Sequence, residues 1–230
     1  MFHFIGNVPN QLRTTYEALI SRLEDAAEES DFGGIYGIAN FGLTGQETYN
    51  VNAYLHLKDW KEKAIPSGRL QILVQAQETI WGPKPNYVLG KSTVRVSYFQ
   101  IDQEQACLLH SVHFDHGPDM DRHPVFHAQI TNETIPLGEY AVELGFEFPQ
   151  VPCRPVHRNA RIPTSDMTLP STLLCLAADH IKPDLFRDLL DSVMDLQTRM
   201  PQPRFDRTRE SIQATPAHLR SSHWFAHMRA

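Results

Sequence analysis

Cysteine is scarce and poorly placed for cross-linking. Cys107, Cys153 and Cys175 are odd in number and widely spaced, and no CxxC pair occurs. This argues against a disulfide framework and against a cysteine zinc site, and leaves the expectation of buried free thiols in a reducing compartment. Long apolar runs are also missing: none approaches the roughly 18 residues that a bilayer span requires. The opening MFHFIGNVPNQ lacks the basic start and apolar stretch of a secretory signal, so a cytoplasmic protein with no membrane partner is expected. HEXXH, GxSxG and the kinase signatures do not occur, and Gly33-Gly34-Ile35-Tyr36-Gly37 fits neither Gly-rich phosphate loop. An excess of positive charge is lacking as well. The net charge of −6 means that the chain as a whole does not attract nucleic acid.

What is present is an ordinary folding composition with an uneven charge distribution. Apolar residues make up 41% of the 230, and charged residues only 21%, a balance that supports a packed core rather than disorder. Residues 199–230 carry six arginines against Asp206 and Glu210, a balance of +4, which leaves −10 on the preceding 198 residues. The expected organisation is a single α+β domain over 1–199 followed by a basic C-terminal tail over 200–230, with MPQPR as the link.

Hydrophobic spacing supplies the elements. After Pro9-Asn10, Leu12, Tyr16, Leu19, Ile20, Leu23 and Ala27 recur at helical intervals, and Gly33-Gly34 breaks the pattern. From about 34 to 131 the period becomes two. Val51, Ala53, Leu55 and Leu57 form one apolar row, Leu70, Ile72, Val74 and Ala76 another, and Val94, Val96 and Tyr98 a third. Leu108, His110, Val112 and Phe114 continue the series, as do Phe126, Ala128 and Ile130. With no helix-length segment between them, these runs predict an antiparallel sheet of about six strands with one face buried. Residues 133–165 read as irregular, with one short strand near 139–148. Thr168 is positioned to cap a helix, and Pro183 divides it from a second, giving a C-terminal helical pair in which Leu173, Leu174, Leu185, Phe186, Leu189 and Val193 are expected to be buried.

The segment HSVHFDHGPDMDRHPVFHAQ holds five of the twelve histidines. Strand alternation places Val112, Phe114, Phe126, Ala128 and Ile130 inward, and sends Ser111, His113, Asp115, His127 and Gln129 to the opposite face together. His110 falls on the apolar side and reads as a hydrogen-bonded core residue. Imidazoles beside a carboxylate can bind a divalent metal, exchange protons near neutral pH, or form a solvated polar face. All three readings stay open, with His113, Asp115, His127 and Gln129 as the candidate catalytic residues. Arg154, His157, Arg158 and Arg161 fall within eight residues and suit a phosphate or carboxylate; arginines that solvate an irregular loop or pair with the acidic body are the alternative, and the one that surface charges more often follow.

H113-F-D115, followed by H123-P124-x-x-H127-x-Q129 and a later R161-I-P163, resembles a group of uncharacterised bacterial proteins classed as a domain of unknown function and associated with mobile elements and with phage-defence or toxin–antitoxin loci. The resemblance covers about the middle quarter of the chain and implies a conflict-system component, with no catalytic residues attached. Two functions follow. One is an accessory or binding protein whose tail (Arg204, Phe205, Arg207, Arg209, Trp224 and Phe225) docks on a protein or nucleic-acid partner. In the other, a hydrolase or nuclease-like enzyme uses the histidine–aspartate cluster, with or without a metal. A tail folded back on its own acidic domain is the alternative to the first.

Overall fold

The computed structural model describes residues 2–61, 69–82, 86–116, 126–151, 161–163 and 167–203. Its centre is a meander of long strands, each antiparallel to the one before: β2 (Ile35–Leu43), β3 (Thr48–Lys61), β4 (Arg69–Trp81), β5 (Val88–Asp102), β6 (Gln105–His116) and β7 (Phe126–Thr131). These six match the expected series. The sheet is nevertheless mixed rather than antiparallel throughout. β1 (Phe2–Gly6) lies parallel to β2, from Phe2 opposite Gly37 to Gly6 opposite Phe41. The helix α1 (Asn10–Glu29) supplies the crossover that a parallel pair needs. β9 (Arg161–Pro163) extends the other side against β7, so eight strands lie side by side. Two short pieces fill overhangs: β8 (Gln150–Val151) pairs with β6 at Ala106–Cys107, where β7 does not reach, and β10 (Gln202–Pro203) pairs with β5 at Val88–Leu89.

One sheet face carries the helices. Leu12, Tyr16, Leu19, Ile20, Leu23 and Ala27 of α1 are all buried against the rows predicted from alternation. The helix ends in a Schellman closure. Asp31 takes the left-handed conformation (φ 60), and the Phe32 N–H donates to the Ala27 carbonyl at 3.0 Å. The glycine that follows answers a different need, since a Cβ on Gly33 would stand 2.5 Å from the Lys58 carbonyl. Only a bare backbone can pass there.

The C-terminal pair comprises α3 (Leu169–His180) and α4 (Pro183–Val193), continued by a 3-10 turn over Met194–Arg199. Thr168 caps α3 as expected, its hydroxyl accepting from the Ser171 N–H at 3.3 Å. Leu173, Leu189 and Val193 are buried, whereas Leu174, Leu185 and Phe186 are only half-buried against the same core. Between these helices and the sheet lies Glu78, 3% exposed. Its carboxylate accepts from the Leu169 N–H (2.9 Å), the Ser92 hydroxyl (3.2 Å) and the Tyr16 hydroxyl (3.3 Å). One side chain thereby ties α1, β5 and the first turn of α3 together.

The second sheet face differs from expectation. Residues 133–149 are irregular as expected apart from one helical turn, but they are packed, and no strand runs over 139–148. Instead the short helix α2 (Tyr140–Glu143) and its flanks drop Ile135, Leu137, Leu144 and Phe146 onto Ile38, Leu73, Phe99, Ala106 and Leu108, forming a second core. Leu108 reaches this core because β6 bulges at Leu109, so that Tyr98 pairs with His110 but Phe99 pairs with Leu108. The bulge also corrects the reading of His110, which is exposed and stacks on Tyr98 with ring centroids 4.3 Å apart. The thiols are corrected too: Cys107 is half-buried and Cys175 exposed, while Cys153 lies outside the described residues. Among the described residues no helix is long and apolar enough to cross a membrane.

Candidate functional site

β6 and β7 pair with Asp115 opposite His127 and His113 opposite Gln129. Directly opposed residues share a face, so all four project from the second face, beside the apolar patch covered by 133–149. The strand before them adds two more residues: Thr93 stands opposite Asp115 and Arg95 opposite His113.

The carboxylate of Asp115 is the hub. Its Oδ1 accepts a hydrogen bond from the Thr93 hydroxyl at 2.7 Å and lies 3.0 Å from His113 Nε2, an ion-pair contact that is poorly aligned as a hydrogen bond. Its Oδ2 lies 3.6 Å from His127 Nε2. The two rings differ in access, with side-chain exposures of 23% for His113 and 2% for His127. Burial pushes the Asp115 pKa upward, but His113, the Thr93 hydroxyl and His127 together pull it below the ordinary carboxylate value. Asp115 is therefore an anion at neutral pH, set between the two imidazoles. Arg95 holds the near edge of the site, its Nη2 3.1 Å from Glu133 Oε2, which fastens the start of the 133–149 segment to β5.

A buried polar chain lies further along the same face. His56 contacts the Leu144 carbonyl through Nδ1 (2.8 Å) and Gln71 Oε1 through Nε2 (2.7 Å), and the Gln71 amide donates to Asp59 at 2.7 Å. Burial pushes the His56 pKa down. This histidine fixes the covering segment to the sheet and stands apart from the Asp115 cluster.

The donor set of the cluster suits proton exchange better than metal binding. Both imidazoles direct the same nitrogen, Nε2, toward one carboxylate rather than toward a shared open point. Among the described residues no three His, Cys, Asp or Glu side chains are placed to hold a metal ion.

Sequence reasoning brought His113, Asp115, His127 and Gln129 to one face, and the structure places them there. It missed Thr93 and Arg95, although their alternation with the inward Val94 and Val96 was the signal that could have found them. Of the arginine motif, the backbone of Arg161 pairs with that of Gln129, which brings this residue's register position next to the cluster. Arg154 and Arg158 lie outside the described residues, as do Arg204, Phe205, Arg207, Arg209, Trp224 and Phe225, and with them His123.

Compared with known families, curated proteins and solved structures, the chain matches no family model, no curated protein and no solved fold. The resemblance to bacterial conflict-system proteins therefore rests on its short motif alone.

Proposed function

We propose that the chain is a metal-independent acid–base hydrolase acting on phosphodiesters. The observation that carries this reading is a single ionised carboxylate bridging an accessible and a buried imidazole on adjacent strands. In this mechanism His113 is the catalytic residue. Its Nε2 faces Asp115, so Nδ1 is left to take a proton from the attacking oxygen or to deliver one to the leaving group. Asp115 is a positioning residue that fixes the ring and stabilises the imidazolium as it forms, and Thr93 fixes Asp115. His127, buried, is a second positioning residue that keeps the carboxylate between the rings. Arg161, at the register position next to Gln129, is the cation assigned to the phosphate.

The test incubates the protein with single-stranded RNA, single-stranded DNA and a chromogenic phosphodiester, each with EDTA present. The expected result is EDTA-resistant cleavage that falls about 100-fold or more in His113→Ala, the range in which a general acid or base contributes. Asp115→Asn should retain folding and lower kcat with little change in KM, because the neutral amide no longer stabilises the imidazolium that forms in the reaction. Cleavage abolished by EDTA, no cleavage of any substrate, or a His113→Ala variant as active as the parent would each overturn the proposal.

A further inference from the structure

The groove between α3 and α4 leads to a different inference, independent of the acid–base reading. It has a volume of about 380 Å³, and Leu174, Leu190, Val193 and Met194 contribute to its lining, with Met200 and Pro201 completing it. Met194 is 61% exposed there, a large apolar side chain on a surface helix where such exposure marks an interaction site when it joins a patch. We propose that this groove is the docking site of residues 204–230 of the same chain, with Trp224 and Phe225 seated in it.

Three observations select this occupant. First, the described chain leaves from the groove itself. Pro201 is buried in its wall, and Gln202–Pro203 are pinned to β5, so the residues that follow are tethered at its mouth. The stretch from Pro203 to Trp224 reaches roughly 70 Å when extended, at about 3.3 Å per residue, enough to loop back to any point on the domain. A tethered ligand also meets its site at an effective concentration on the order of millimolar, so modest contacts suffice. Second, charge is complementary. Residues 204–230 hold five arginines against Asp206 and Glu210, a balance of +3, which leaves −9 on residues 1–203. A net-negative domain attracts arginines and repels nucleic-acid phosphates. Third, aromatic and arginine side chains are the types that most often anchor an interface, and the segment carries Trp224 and Phe225 close in sequence to Arg220 and Arg229.

The test is limited proteolysis of the full chain. Chymotrypsin cleavage after Trp224 and Phe225 is followed by mass spectrometry and compared with a synthetic peptide of residues 204–230. Docking predicts cleavage at least about tenfold slower in the full chain than in the peptide. Met194→Lys, a change at an exposed position that the domain tolerates, should restore the peptide rate. Trp224→Ala/Phe225→Ala should likewise open Arg220 to trypsin. The proposal is overturned if the parent chain is cut as fast as the peptide, or if both variants stay protected. Protection that arises only when a single-stranded oligonucleotide is added would assign the segment to nucleic acid instead, and would overturn it equally.

Discussion

At the scale of single residues, Glu78 is the most consequential side chain outside the site. It is a buried carboxylate with three donors, and burial holds its pKa above the ordinary value despite them. The folded state therefore binds this proton more tightly than the unfolded chain, whose glutamates titrate near about 4.3. The stabilising difference is complete below that pH and is lost as pH rises through the folded-state value. Glu78→Gln keeps an acceptor for the Leu169 N–H and removes the titration. Urea unfolding at pH 4.5 and pH 8 should show the variant gaining on the parent between the two. A constant gap would mean that Glu78 titrates as an exposed acid. Glu78→Ala should destabilise at both pH values, by about 1–3 kcal/mol for each donor left without an acceptor. Nothing in the alternation of β4 distinguished this residue from a core position, and its polarity was the only sign that the row had a structural purpose beyond packing.

Among the elements, periodicity was informative wherever a segment was long and bound to one neighbour. α1, the six meander strands and the α3–α4 pair could all be read from spacing, because each buries one continuous stripe. Elements whose partners are distant, or whose pattern is interrupted, could not. β1 offers five residues without context, and its parallel partner lies beyond a whole helix. The extra residue at Leu109 leaves the pattern of Leu108 and His110 unchanged in the sequence while sending them to opposite faces. The second core draws on Ile135, Leu137, Leu144 and Phe146, which are spread among prolines and glycines at no regular interval. The candidate site was legible for the opposite reason. The parity of His113 and Asp115 is purely local, and no bulge separates them from His127. The helical pair gives a graded expectation. Leu189, 3% exposed, should cost about 2–5 kcal/mol when replaced by alanine, and half-buried Leu185 distinctly less. Thermal melts of the two variants check the order, and equal losses would mean that α4 sits deeper than its burial indicates.

For the whole molecule, one sheet serves two cores, with helices on one face and the 133–149 segment on part of the other, and the polar cluster occupies the part of the second face beside that cover. The strand β1 has a further consequence. β2 is nine residues long, and β1 pairs with five of them, Gly37–Phe41. Without that partner, a flat row of unused amides and carbonyls backed by Ile35, Ile38 and Phe41 would face outward, a template on which a second chain can add its own strand. β1 itself makes a poor template, being short and closed by Gly6 in the left-handed region. Deleting residues 1–6 should therefore leave far-ultraviolet circular dichroism nearly intact while light scattering reveals dimers and larger species that grow with concentration. A truncated chain that stays monomeric would mean that this margin is protected by other means. The first strand, the least conspicuous in the sequence, is thus what covers β2 on its open side.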